Sequence, residues 1–267
     1  MPQATGSIQF AVGGRTLPPL DIWIKITERF RGRTVRILCE RLTGRAGATY
    51  RDLAPGQRGE ISNITGKDEQ GQVRKGHTHA HFLLWPDEHG FPARLMAWSP
   101  SRPFGEQEAE ALLAASVQPI FWSDDAEFPL YLVPLPLECP LPSSLTRLSR
   151  YWHSVTPFVV PPARHRFRSQ GRPRPGEAPE QVARKLLVAS GLPGPRNISV
   201  LPSGGPCEVR VHETRQSRLA RKGEQGSRVF SGFRMLIEFD DPVPGPIAIG
   251  DSCHFGLGLF QAGGGEA

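Results

Sequence analysis

The sequence predicts an α+β protein that consists of two tandem ferredoxin-like domains with a C-terminal glycine-rich loop. Strand and helix patterns follow the order strand, helix, strand, strand, helix, strand in the first half, and this order partly recurs in the second half. Hydrophobic residues make up 38% of the chain, which is enough for a packed core. The 29 glycines and 27 prolines favour many turns over a helical bundle.

The first predicted domain spans residues 1–136. Apolar side chains recur at helical spacing after Asp21, a residue type that often caps helices, and Gly44 provides a stop signal. The segment 44–76 has no regular period. The predicted elements are a strand at 7–12, a helix at 21–42, strands at 77–85 and 93–98, a helix at 105–117 and a strand at 128–134.

The second predicted domain spans residues 143–267 and follows a proline-rich linker at 134–142. Its helix has Pro179 in the first turn and Gly191 just past the end, as helices prefer. The predicted elements are a strand at 151–160, a helix at 179–190, and strands at 198–201, 208–212 and 230–239.

Positive charge is concentrated in one part of the chain. Residues 161–234 hold 15 Lys and Arg against five Asp and Glu, whereas the net charge of the whole chain is +6. The remainder is therefore weakly acidic, with a net charge of −4. A basic block on an acidic body favours a polyanionic partner, although a solvated basic loop gives the same pattern.

Cysteine usage and hydropathy predict the compartment. None of the four cysteines forms a Cys-x-x-Cys pair, which argues against a zinc knuckle or a disulfide framework. No apolar run approaches the roughly 20 residues that span a bilayer, and no signal peptide precedes the first strand. We therefore expect a soluble, cytoplasmic protein without a membrane partner.

Three histidines alternate along the predicted strand at 77–85. His77, His79 and His81 would share one face of that strand, because successive side chains point to opposite faces. Such a row suits acid–base catalysis near neutral pH or contact with RNA, and it could also bind a metal or make structural hydrogen bonds. No Asp or Glu lies within the row to complete a metal shell, so we expect neither a metal nor another cofactor.

The glycine-rich segment 250–260 is the second candidate. Gly256 and Gly258 allow close approach of the backbone to a ligand and leave amide N–H groups for phosphate, with His254 beside them. No Gly-Lys-Ser/Thr follows, so the segment is not a P-loop. The alternative is a tight connection between strands.

Basic and aromatic side chains form the remaining candidates for contact with nucleic acid. Arginine pairs with phosphate and stacks on bases, and flexible arginine-rich segments often become ordered on RNA. Disordered loops without a partner, and core packing for the tryptophan, are the alternatives. The candidates are Arg150, Trp152, Arg164, His165, Arg166, Arg168, Arg215, Arg218, Arg221 and Lys222.

Several stretches together resemble the Cas-six-like repeat endoribonucleases of the CRISPR-associated RAMP superfamily, in particular the C-terminal part of the subtype I-U and I-G fusions of Cas-five-like and Cas-six-like proteins. Stand-alone relatives also occur in type IV systems, so the subtype stays open. The resemblance spans about residues 5–260. The matching stretches are the basic helix with Arg31 or Arg33, 66–71 leading into 76–81, 95–100, 150–158, Arg164-His165, 239–246 and 254–260.

The resemblance implies tandem RNA-recognition-like folds, cleavage of the CRISPR precursor transcript within its repeats, and retention of the product crRNA with other subunits of an effector complex. It also implies metal-independent attack by the substrate 2′-hydroxyl, which leaves a 2′,3′-cyclic phosphate. His77 or His79 would then be the general acid or base, supported by His81. Arg33 would stabilise the phosphorane together with Arg29 or Arg36. The rival interpretations are a non-catalytic crRNA-binding subunit and a metal hydrolase that uses the histidine row.

Overall fold

The computed structural model describes residues 6–74, 76, 78–122, 127–161, 177–201, 207–211 and 228–263, and for 207–211 and 228–230 it describes the backbone alone. The chain divides into two compact units, Met1–Cys139 (unit 1) and Pro140–Ala267 (unit 2). The division falls inside the proline-rich segment 134–142. Both units combine helices with antiparallel sheet, which confirms the predicted mixture of helix and sheet.

Unit 1 contains one five-stranded antiparallel sheet. The strands lie in the order β2-β3-β1-β5-β4, so the first strand pairs with both the third and the fifth. The elements are β1 (Ser7–Gly13), α1 (Trp23–Thr43), α2 (Pro55–Glu60), α3 (Ser62–Thr65), β2 (His81–Pro86), β3 (Pro92–Trp98), α4 (Glu106–Ser116), β4 (Ile120–Phe121) and β5 (Pro129–Pro134).

The core of unit 1 lies where apolar side chains of the sheet meet α1 and α4. Phe10 of β1, Phe30 of α1 and Phe82 of β2 are fully buried, and their rings meet edge to face with centroids 5.2 and 6.1 Å apart. This arrangement fixes α1 against the sheet, because aromatic pairs prefer such geometry and bury large apolar areas. One face of α1 is therefore held inward, and the opposite face is left for other contacts.

Two features of α1 and its connection differ from the sequence prediction. Asp21 lies in a one-turn 3₁₀ helix at Leu20–Ile22, and α1 begins after Ile22; at its other end Gly44 adopts a left-handed conformation with φ of 66° and stops the helix. The segment 44–76, for which no element was predicted, contains α2 and α3. These helices have six and four residues, too few for a hydrophobic period to be visible.

Unit 2 contains a five-stranded sheet in the order β12-β13-β6-β11-β8 and a three-stranded sheet in the order β7-β10-β9. The predicted strands at 151–160 and 230–239 are each split into two strands that belong to different sheets. The elements are α5 (Ser143–Thr146), β6 (Ser149–Ser154), β7 (Phe158–Val159), α6 (Pro179–Ala189), β8 (Asn197–Val200), β9 (Cys207–Val211), β10 (Arg228–Phe233), β11 (Met235–Val243), β12 (Ile247–Ala248) and β13 (Leu259–Ala262).

Helix α6 covers one face of the five-stranded sheet of unit 2. Trp152, Ile237 and Phe260 from three neighbouring strands belong to the same buried cluster as Ala183 and Leu187 of α6. Between β11 and β13, where unit 1 carries α4, the described chain has a 3₁₀ turn at Cys253–Phe255 instead of an α-helix. In the described ranges, no helix has both the length and the apolar character needed to cross a membrane.

Candidate nucleic-acid interface

A basic cleft lies on the outer face of α1. Arg29, Gly32, Arg33 and Arg36 stand at positions i, i+3, i+4 and i+7 of the helix, so they share one face. They line a cleft of about 450 Å³, whose other walls are Gln118, Ile120 and Phe121. Gly32 and Arg36 are exposed, and a Cβ at Gly32 would meet no atom within 4 Å. The structure therefore brings together the three arginines that were predicted to contact the phosphorane, and the exposed Gly32 leaves open space between them.

Arg33 has a structural task that the sequence did not indicate. Its Nη1 donates to the carbonyl oxygens of Ala115 (2.9 Å) and Gln118, and its Nη2 donates to that of Pro119 (3.0 Å). Ala115 lies in the last turn of α4, and Gln118 and Pro119 follow the helix, so Arg33 uses three of its five N–H groups to hold the end of α4 and the segment after it. Arg33 was predicted to stabilise the phosphorane with a free guanidinium. In the structure it forms a wall of the cleft, and three of its five N–H groups already donate to backbone carbonyls.

Electrostatics make the cleft attractive to anions. Burial lowers the pKa of the Arg33 guanidinium, and the nearby positive charge of Arg36 lowers it further. The repulsion between these two cations is relieved when an anion sits between them. Arginine forks match the geometry of phosphate oxygens, so phosphate is the anion that these side chains suit best.

Arg31, on the opposite side of α1, is partly buried and holds α3 in place. Its Nε donates to Ile64 O at 3.0 Å and its Nη2 donates to Thr65 O at 2.5 Å. Desolvation lowers the pKa of Arg31 to about 10, and the carboxylate of Glu28 opposes the shift. The two neighbouring arginines of α1 thus have different roles: Arg31 contacts α3, and Arg33 reaches the cleft.

His79 and His81 do not lie together on one strand as predicted. Strand β2 begins at His81, so His79 precedes it, and His77 lies outside the described residues. His79 and His81 are 8% and 2% exposed, with stacked rings whose centroids are 6.5 Å apart. A Cβ at Gly66 would lie 2.5 Å from His79 Nε2, so the imidazole fills the space left by that glycine. The prediction that both residues lie in a row along one strand is therefore wrong, and the two imidazoles are buried.

The glycine-rich segment packs against its own unit. Gly256 and Gly258 are buried; the N–H of Gly256 donates to Cys253 O at 3.2 Å, and that of Gly258 donates to Pro157 O at 2.9 Å. Thr156 Oγ1 secures the segment by donating to Gly256 O at 2.7 Å. The predicted free amides for phosphate are therefore wrong, and the alternative of a tight connection between strands is correct. His254, in the 3₁₀ turn, is half-buried.

Strand β6 presents different residues to solvent than predicted. Trp152 is fully buried, and its Nε1 donates to Ser149 O at 3.0 Å, so the predicted base-stacking role is wrong and core packing is correct. Arg150 is exposed and donates to the carbonyl oxygen of Asp240. Because side chains alternate along a strand, Tyr151 and His153 face the side of the sheet opposite the core. If Trp152 had been assigned to the core, the alternation of side chains would have predicted Tyr151 and His153 on the opposite side of the sheet.

The remaining basic candidates lie outside the described residues. They are Arg164, His165, Arg166, Arg168, Arg215, Arg218, Arg221 and Lys222. Among the residues that the structure does describe, no group of three or more His, Cys, Asp or Glu side chains is placed to hold a metal ion.

Comparison with known proteins gives structural resemblances alone. No protein-family model matches the chain, and no curated protein matches it. A solved RAMP protein that binds different RNA substrates is 9% identical, with 96% of this chain and 98% of that chain covered and a TM-score of 0.44. A Cas6 product complex is 14% identical, with coverage of 96% and 98% and a TM-score of 0.46. Csf5, a CRISPR-Cas type IV Cas6 crRNA endonuclease, is 13% identical, with coverage of 97% and 98% and a TM-score of 0.39.

Proposed function

We propose that this protein binds CRISPR repeat RNA and cleaves the precursor transcript within its repeats, retaining the mature crRNA alongside other subunits of an effector complex. The observation that carries the proposal is the cleft on α1, where Arg29, Arg33 and Arg36 surround the exposed Gly32. A polyanion of regularly spaced phosphates fits such a surface. The sequence resemblance to Cas-six-like proteins indicates that this polyanion is CRISPR repeat RNA.

The strand order of both units supports this proposal. In each unit the first strand lies between the third and the last of four main strands: β1 between β3 and β5, and β6 between β11 and β13. We interpret both as ferredoxin-like units, with the second helix of unit 2 replaced by the segment between β12 and β13. Tandem units of this kind are also what the sequence resemblance implies.

The cleavage chemistry that we propose needs no metal. The 2′-hydroxyl of the substrate attacks the adjacent phosphorus, the bond to the 5′-oxygen breaks, and a 2′,3′-cyclic phosphate and a 5′-hydroxyl remain. A base must take the 2′ proton, an acid must protonate the leaving oxygen, and cations must neutralise the phosphorane. We assign proton transfer to His77 or His79 with His81 in support, and charge neutralisation to Arg29 and Arg36 beside the largely engaged Arg33.

A second candidate function is a subunit that binds crRNA without cutting it. The burial of His79 and His81 favours this candidate, because a catalytic imidazole must reach the scissile phosphate. In that case the arginine cleft and the other basic residues hold the RNA, and no product is formed.

One experiment separates the possibilities. Labelled repeat RNA is incubated with the full chain in EDTA, and the fragment ends are analysed, with RNA carrying a single 2′-deoxy at the cut site as the matched control. We expect fragments ending in 2′,3′-cyclic phosphate, and none from the 2′-deoxy substrate. Tight binding without fragments would favour the non-catalytic subunit. Cleavage that stops in EDTA and returns with zinc would favour a metal hydrolase built on the histidine row.

Single substitutions then test the histidine assignment. His77→Ala, His79→Ala and His81→Ala should each lower the cleavage rate far more than RNA affinity, because proton transfer matters only in the transition state. Equal losses in rate and affinity would show that these side chains only support binding or structure.

A further inference from the structure

A second group of positive charges in unit 1 surrounds the ring of Tyr50. Lys67 Nζ lies 4.8 Å from the centroid of this ring, and Arg58 Cζ lies 5.5 Å from it. Arg51 is the next residue after Tyr50 and is exposed. Lys67 comes just after α3, which Arg31 holds on the side of α1 opposite the cleft. We call Tyr50, Arg51, Arg58 and Lys67 the Tyr50 cluster.

The backbone of a short turn fixes the tyrosine ring. An isolated β-bridge closes the turn 67–73, and Tyr50 Oη donates to Asp68 O within it at 3.2 Å. A Cβ at Gly71 would lie 3.9 Å from two atoms of the Tyr50 side chain, so the tyrosine packs against the turn. A cation within about 6 Å of a ring centroid is attracted to the ring. The fixed ring therefore holds two cationic side chains close to each other.

The carboxylates near the cluster are engaged elsewhere. Asp52 Oδ2 accepts the N–H of Thr49 at 2.8 Å, and Asp68 Oδ1 accepts a backbone N–H of its own turn at 2.7 Å. The side chain of Glu69 lies against Gly59, where an added Cβ would be 2.9 Å from Glu69 Oε1. In the part of the chain that the structure describes, no carboxylate oxygen lies within 4.0 Å of the cationic nitrogens of the Tyr50 cluster.

Electrostatics of the cluster favour an anion. Burial lowers the pKa of Lys67, and the positive charges of Arg31, Arg51 and Arg58 lower it further. Like charges at such short range raise the free energy of the protein, and an anion among them reverses that effect. Phosphate is the anion that suits the cluster, because guanidinium groups match its oxygens in pairs and lysine adds a point charge.

We propose that Arg51, Arg58 and Lys67, arranged around Tyr50, form a second phosphate-binding site, which holds the RNA backbone on the side of α1 away from the cleft. Arg58 Nη2 donates to Arg51 O at 3.3 Å, whereas Arg58 Nη1 and Lys67 Nζ donate to no acceptor within the described ranges. These donors are available to phosphate oxygens. The assignment of the phosphate to RNA rests on the proposed function, whereas phosphate binding itself rests on the cluster.

The salt dependence of RNA binding tests the contact with RNA. The triple variant Arg51→Gln, Arg58→Gln and Lys67→Gln keeps polar side chains and removes three charges. We expect its affinity for repeat RNA at low salt to fall roughly 10-fold or more. The slope of log affinity against log salt should fall by about 2, since each phosphate contact adds about 0.7–0.9.

A second triple variant is the matched control. Arg15→Gln, Arg41→Gln and Arg45→Gln lower the net charge of the chain by the same amount, and all three arginines are exposed and outside the cluster. The control should keep most of the affinity and the slope. Equal losses in the two triple variants would overturn the contact between the cluster and RNA.

Acetylation of the unmodified full chain tests phosphate binding without any variant. N-hydroxysuccinimide acetate reacts with the unprotonated amine, so an anion beside Lys67 should slow its acetylation by favouring the protonated form. Mass spectrometry compares Lys67 with Lys185, whose side chain is 63% exposed. We expect inorganic phosphate and repeat RNA to slow Lys67 several-fold relative to Lys185, when each is compared with chloride at equal ionic strength.

The two measurements separate the site from the proposed function. Lys67 acetylation that neither phosphate nor bound repeat RNA slows would overturn the site and leave the proposed function intact. Protection of Lys67 by inorganic phosphate, in a protein that fails to bind repeat RNA at low salt, would support the site and overturn the proposed function.

Discussion

Gly258 occupies a position that other residues fit poorly. Its φ is 57°, and a Cβ there would lie 1.9 Å from the carbonyl oxygen of Ile249, which is a backbone atom. We expect Gly258→Ala to lower the free energy of unfolding by about 2–4 kcal/mol, since the backbone must shift and a strained conformation remains. Chemical denaturation measures this change. Gly56→Ala is the control, because Gly56 has open space around it, and a similar loss there would contradict the explanation.

The described cysteines differ in how accessible their thiols are. Cys253 and Cys39 are buried, whereas Cys139 is partly exposed. Burial raises the pKa of Cys253 to about 12 and also raises the pKa of Cys39, so both remain protonated thiols at pH 8. Because the thiolate is the reactive form, we expect iodoacetamide to alkylate Cys139 before Cys39 and Cys253 in the native protein. Mass spectrometry of the digest checks this order, and early alkylation of Cys253 would contradict it.

At the scale of elements, Arg33 joins α1 to the end of α4. Its three hydrogen bonds engage the carbonyl oxygens of Ala115 in the last turn of α4 and of Gln118 and Pro119 just after the helix. Arg33→Ala should lower the free energy of unfolding by about 1–3 kcal/mol, the range for hydrogen bonds that involve a charged group. Thermal denaturation measures it. Arg41→Ala is the control, because Arg41 forms an exposed ion pair with Glu110, which contributes about 0–1 kcal/mol. Lost cleavage without lost stability would instead support a catalytic Arg33.

Gly32 tests whether the cleft is functional. A glycine inside a helix costs about 0.5–1 kcal/mol relative to Ala, and here no neighbouring atom within 4 Å demands it. Gly32→Ala and Gly32→Leu should therefore both stabilise α1. Gly32→Leu should also weaken RNA binding, because its side chain fills the floor between the arginines. For Gly32→Leu the melting temperature should rise and the RNA affinity should fall. Unchanged RNA affinity for this variant would show that the cleft does not bind RNA.

At the scale of the whole molecule, the charge distribution predicts a steep salt dependence of RNA binding. Each phosphate contact adds about 0.7–0.9 to the slope of log affinity against log salt. Neutralising Arg29 and Arg36 together, or the five arginines in 161–174, should weaken binding and flatten that slope. Arg45→Ala is the control, since Arg45 is exposed and outside the cleft. Slopes that stay unchanged in both multiple variants would contradict binding through these residues.

The sequence by itself determined the mixture of helix and sheet and the positions of the three longest helices. The bounds of α1, α4 and α6 follow from the spacing of apolar side chains, which is a property of neighbouring residues. The bounds of five strands, β1, β3, β5, β8 and β9, were also predicted to within one residue. The three arginines of the cleft could be predicted for the same reason, because one helical face brings together residues i, i+3, i+4 and i+7.

Only the tertiary structure decided what several candidate residues do. Arg33 hydrogen-bonds to carbonyls at the end of α4 and just after it, more than 80 residues further along the chain. Trp152 is buried against Gly245, and Gly258 meets Ile249, so core packing and not RNA contact explains both. Spacing in the sequence carries no information about such partners, because residues distant along the chain become neighbours only when the sheets and helices pack. The same packing turned Tyr151 and His153 outward and enclosed His79 and His81.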